Sequence, residues 1–288
     1  MSLNVPGIVV PVPIRWMPAS DEDYKDKSEG GRSGYQPIAI VHHRAVSSSL
    51  HGIDVTFAAG DSDPATVGSA GRYVSSNFAI GSVTGGYAIS QYVDVSDTAY
   101  CNGDCSQTRY GTSYPSNFDN WYGHKGHNER TVSIEHDDNG GSADPLVKGI
   151  VVESIIKIGI ALDKLLLSGD IAAIRATGIK IRDQATADAL KAIVPGPRTM
   201  LDHKDIAGKA KPYCWRPWEA DKVGFPRARY IAELTPAPVV VPTPPTPCYT
   251  QADIAAAEAA GFEKGKIVGY ELGFGQAKAN AIAAVSAI

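Results

Sequence analysis

The feature that most constrains this chain is the tract Thr235–Pro247, which reads TPAPVVVPTPPTP. Proline fixes φ and removes a backbone donor, so neither a helix nor an inner strand runs through such a stretch. A tract of this kind is an extended, semi-rigid linker rather than part of a core. It divides the 288 residues into a body, residues 1–234, and a tail, residues 248–288. The body alone can bury one sizeable core, on a prior of roughly 100–200 residues per domain.

Composition narrows the class. Hydrophobic residues make up 43% and charged residues 20%, which is globular rather than disordered. The net charge of -4 and the lack of a basic patch argue against a nucleic-acid partner. The opening MSLNVPGIVVPVPIRW has no basic n-region and is broken by prolines, so it is not expected to act as a signal peptide. Synthesis in the cytoplasm is the expectation. The most apolar run, Gly149–Leu167, carries Glu153, Lys157 and Lys164 near the helical period. That pattern predicts an amphipathic helix and no membrane span.

Within the body, strand-like and helix-like segments are mixed. Pro37–Val41 and Thr131–Glu135 read as strands. Phe78–Ile80 and Tyr87–Val93 read as a hairpin about Thr84-Gly85-Gly86. Ile150–Leu167 and Thr186–Ile193 read as helices. The fold class expected is α/β, a central mixed sheet flanked by helices. Residues 101–130 are rich in Gly, Asn, Ser and Tyr and read as a long loop, either covering a cleft or decorating the surface. Cys101 and Cys105 either close a small loop or stay as thiols, and four cysteines are too few for a disulfide scaffold.

Candidate chemistry collects in three places. His42 and His43 follow the first strand, and the period of two sends them to opposite faces. His203 lies in a polar segment that also holds Lys209, Lys211 and Cys214. Two imidazoles and a thiolate form a zinc-type set, and three protein ligands leave a position open for water. Glu135 ends a strand, where a carboxylate beside a metal can take a proton. Asp137 and Asp138 lack the spacing of a calcium loop.

AIVHHRAV, NERTVSIE and LDHKDIAG with KPYC, together with SSNFAIG, GGYAISQYV and DTAYCNGD between the first two, occur in a telling order. In that order they resemble the zinc-dependent N-acetylmuramoyl-L-alanine amidases of the amidase-2 or peptidoglycan-recognition type, above all those of phage endolysins. The likeness spans residues 35–220. It implies a zinc-floored surface groove, with zinc (Zn2+) held by His42, His203 and Cys214 and with Glu135 as acid and base. It also implies a lysine steadying the oxyanion. That lysine is Lys209 by count from His203 and Lys211 by closeness to Cys214, because the gap between the two ligands is longer than usual in the family. Asn77 stands where many relatives carry His or Tyr and is a candidate substrate contact. Trp121 and Tyr122 are candidates to face sugar rings, or else to pack on the body.

The reaction implied is hydrolysis of the amide between the muramic lactyl group and L-alanine of the stem peptide in bacterial peptidoglycan. Release to the wall would follow host-membrane lesion. Two other readings fit the same residues: a recognition protein that binds peptidoglycan without cutting, and a zinc peptidase acting within the stem. In the tail, Gly261, Gly265, Gly269 and Gly273 recur every four residues, flanked by Ala257 and Ala277. Each glycine costs a helix interior roughly 1 kcal/mol relative to alanine. The stripe predicts a helical module that self-associates through close packing, or one that binds the cell wall.

Overall fold

The computed structural model describes residues 1–19, 24–25, 31–32, 34–45, 49–58, 75–101, 117–122, 126–137, 145–207 and 226–235. The elements in chain order begin with β1 (Ser2–Leu3), β2 (Val12–Trp16), β3 (Tyr24–Lys25), β4 (Ala39–Ala45) and α1 (Leu50–Phe57). They continue with β5 (Phe78–Val83), β6 (Gly86–Gln91), β7 (Thr98–Ala99), α2 (Asn117–Tyr122) and β8 (Thr131–Asp137). The last are α3 (Pro145–Leu167), α4 (Ile171–Ala176), α5 (Gln184–Lys191), β9 (Met200–Asp202), α6 (His203–Ala207) and α7 (Arg227–Leu234).

Seven strands form one mixed sheet in the order β1-β2-β6-β5-β8-β4-β9. The pairs β5/β8, β8/β4 and β4/β9 are parallel, and the hairpin pair β5/β6 is antiparallel. The expected fold class therefore holds. The opening residues form β1, at one edge of the sheet, and β2 between it and β6. The hairpin turns on Gly85, whose φ of 83° is a left-handed value that favours glycine. Helix α3 begins on Pro145, as suits a first-turn position where the missing N–H would have had no helical partner. Asp170 and Asp183 cap α4 and α5, accepting from Ala173 N and Thr186 N. Helix α2 lies inside the segment 101–130 that the sequence reads as a loop.

The two faces of the sheet differ in side-chain size. One face carries Ile40, Phe78, Ile80, Ile89, Val132 and Ile134, and these pack with Ile155, Ile158 and Leu162 of α3 into the main core. The other carries Ala39, Val41, Ala79 and Ala88. There, α1 covers one patch with Leu50, Ile53 and Phe57. Phe118 of α2 and Ile206 of α6 cover another with Leu201. Both faces of β8 are buried along its whole length, as expected for a central parallel strand. Among the described residues, no helix is long and apolar enough to cross a membrane.

Helix α3 approaches the sheet closely at Gly159. A Cβ there would lie 2.9 Å from His136 Cε1 and would collide with the Tyr230 hydroxyl. In an exposed helix, glycine to alanine gains roughly 1 kcal/mol. At this contact, overpacking of about 1–3 kcal/mol outweighs that gain. Gly159→Ala is therefore expected to lower stability, read as a lower urea midpoint with unchanged slope. A raised midpoint would show that the helix has room to move.

Candidate active site

Strand alternation and register decide which side chains meet. In β4, His42 and His43 point to opposite faces. The parallel register sets His43 beside Glu135 and His42 beside Ile134 on one side and Asp202 on the other. Paired residues share a face, so His43 and Glu135 emerge together on the small-residue face. The chain alternates once more after Asp202, which brings His203 up on that face too. The His43 and His203 rings meet edge to face with centroids 4.4 Å apart. Glu135 Oε1 lies 3.9 Å from His43 Nδ1. The Cys101 thiol, just after β7, donates to the same Glu135 oxygen at 3.3 Å.

His43, Cys101 and Glu135 each present one donor atom within 4.8 Å of the others. All of this lies between the α1 patch and the α2/α6 patch. His43 is 1% exposed, and Glu135 and His203 are each 8% exposed. The donors are buried, where electrostatic interactions are stronger than in water.

The structure thus differs from the expectation that His42 joins His203. His42 faces α3 and is fully buried. Its Nδ1 lies 3.0 Å from His136 Nε2, and its Nε2 lies 3.2 Å from Asp163 Oδ2. The Tyr230 ring packs against it at 4.6 Å between centroids. Burial drives each of these groups toward its neutral form. It lowers the His42 pKa to about 3, with the charge of Arg227 adding to the drop. It holds His136 well below the usual imidazole range and Asp163 well above the usual carboxylate range. Neutral groups suit a core, where isolated charges would be costly.

The remaining expected site residues divide by position. Lys209, Lys211 and Cys214 lie outside the described residues, as does Cys105. Asn77 is fully buried and spends its amide inside the body. Its Oδ1 accepts from Ser133 N at 3.1 Å, and its Nδ2 reaches Asp94 O at 3.4 Å. That occupation, a clamp between β8 and the loop after β6, differs from a substrate contact. Trp121 and Tyr122 are half-buried on α2, beside buried Phe118. The Tyr122 hydroxyl donates to Arg198 O at 3.0 Å, and the Arg198 guanidinium lies 5.7 Å from the Trp121 ring centre. Both rings pack on the body while keeping part of their surface open.

Sequence reasoning missed two features. Cys101 was legible only as a possible loop thiol, because nothing local ties it to Glu135 across 34 positions. The other is the clasp around His203. Asp202 Oδ1 accepts from Asp205 N at 3.2 Å, and Asp205 Oδ2 accepts from Asp202 N at 3.1 Å. This reciprocal capping box was present in the string Asp-His-Lys-Asp and is a known local signature.

No family model matches the chain, and no curated protein matches it. Solved structures similar to it include the catalytic domain of XlyA, at 12% identity over 78% of this chain and 100% of that one, with a TM-score of 0.37. A mutant endolysin from Bacillus subtilis matches at 11% identity over 78% of this chain and 99% of that one, with a TM-score of 0.37. The PlyG catalytic domain matches at 13% identity over 81% of this chain and 99% of that one, with a TM-score of 0.34.

Proposed function

We propose that this chain is a zinc-dependent peptidoglycan amidase of the endolysin type. One observation carries the proposal: the motif residues His43, Glu135 and His203, far apart in sequence, converge on one face of the sheet. The two imidazoles of His43 and His203 fit zinc, which takes imidazole and thiolate ligands in tetrahedral sites, and Cys214 would supply the thiolate. His43 takes the place expected of His42, with His203 as the second ligand and Cys214 as the third. Zinc bound there would supply Lewis-acid polarisation and a water acidic near neutral pH.

Glu135 acts as the proton carrier. It takes a proton from the attacking water and returns it to the L-alanine nitrogen as the amide breaks. Cys101, donating to Oε1, helps to hold the carboxylate in place. Lys209 or Lys211 stabilises the negative oxygen developing on the lactyl carbonyl. The open faces of Trp121 and Tyr122 serve as a shelf for a sugar ring. The tail after the proline-rich tract serves as a wall-binding or self-associating module.

The test is digestion of purified Gram-positive cell walls by the full chain, with released ends identified by mass. New L-alanine amino termini are expected, lost on zinc removal. Glu135→Gln should cost about 10²–10⁴-fold in rate with zinc content unchanged. Wall binding without new ends would leave a recognition protein, and cuts within the stem would leave a peptidase.

Metal content gives a separate prediction. His43→Ala should purify without stoichiometric zinc, whereas His42→Gln should keep zinc and lose stability instead. Cys214→Ser should lose zinc and Cys101→Ser should keep it. The reverse result for the two cysteines, read by elemental analysis of folded protein, would make Cys101 the thiolate ligand.

A further inference from the structure

Helix α6 spans only His203–Ala207. A helix this short is marginal on its own, so the orientation of its first residue must be imposed from outside. The Asp202–Asp205 clasp supplies part of that constraint, but it sets two carboxylates close together. Their side chains are only 6% and 3% exposed, so water does little to relieve the repulsion. Arg227, the first residue of α7, answers this. Its guanidinium pairs with Asp205 Oδ2 and lies 3.5 Å from Asp202 Oδ2. From the opposite side, the Asn117 amide of α2 donates to Asp205 Oδ1 at 3.1 Å. The same α7 places Tyr230 against His42, on the strand that carries His43.

We propose that Arg227 is a positioning residue for the metal centre: it holds the Asp202–Asp205 clasp closed and thereby fixes His203 opposite His43. The metal part of this proposal rests on the zinc reading above, and the clasp itself does not. Both contacts run through one guanidinium nitrogen, Nη2, so a single positive group is shared between the two carboxylates. A second tie on the same helix provides a control. Arg229 holds Glu153 of α3 through bonds of 2.7 and 3.0 Å, away from His203.

The experiment compares full-length wild type, Arg227→Gln, Arg227→Lys and Glu153→Gln. Amide hydrogen exchange is measured on zinc-free protein, and zinc affinity by chelator competition. Arg227→Gln should speed exchange at the Asp205 amide by about tenfold or more while the β4 and β8 amides stay protected. Its zinc affinity should fall by about 10–100-fold, the usual effect of losing a group that orients a ligand. Arg227→Lys, which keeps the charge and guards against a folding defect, should fall between the two. Glu153→Gln should leave both readouts at wild-type values. Unchanged exchange at Asp205 in Arg227→Gln overturns the proposal, and so does an equal change in Glu153→Gln. Faster Asp205 exchange in Arg227→Gln, in a protein whose wild type takes up no zinc, supports the clasp and sinks the zinc reading instead.

Discussion

The parallel pairing of β4 with β8 is the constraint on which the site depends. It sets His43 against Glu135 and, in the same stroke, His42 against Ile134. Because the side-chain period is two, a slip of one residue would exchange the two faces completely. Glu135 would then face α3 and a large apolar core with no partner for its charge. The register is pinned by size as well as by hydrogen bonds. Ile40, Val132, Ile134 and Ile80 belong together under α3, and a shifted strand would put alanine and serine where these fill space. The chemistry of one face is thus held in place by the packing of the other.

The core face includes polar groups of its own. His42, His136, Asp163 and Tyr230 lie beneath the candidate centre and are fully or almost fully buried. Burial keeps them neutral, and His42 lies beside both His136 and Asp163. Adjacent histidines in one strand therefore have different duties. One stands with Cys101 and Glu135 in a group that could hold a metal ion, and the other sits in a layer that excludes charge. Gly159 belongs to the same arrangement, since the missing side chain lets α3 come down onto His136 and Tyr230.

Much of this was legible in the sequence. The strands around Ile40 and Val132, the hairpin at Gly85 and the helix through Ile158 follow from periodicity and turn residues alone. Glu135 and His203 were identifiable from their motifs. The choice between His42 and His43 was open to a size argument, because small Ala39 and Ala45 share a face with His43 and bulky Ile40 shares one with His42. That argument needs the partner strand's pattern as well, and a single strand does not supply it. The placements of Asn77, Cys101 and Arg227 were not legible, because each depends on contacts across tens of residues that leave no local periodic trace.

Helix α7 ends at Leu234, immediately before the proline-rich tract. Its residues are spoken for on the side of the body: Tyr230 is buried under the sheet, and Arg227 and Arg229 meet carboxylates of β9, α6 and α3. Any exchange of the segment that follows, by recombination or by design, therefore has to leave α7 with the body. A crossover inside that helix would carry away part of the floor of the body along with the tail.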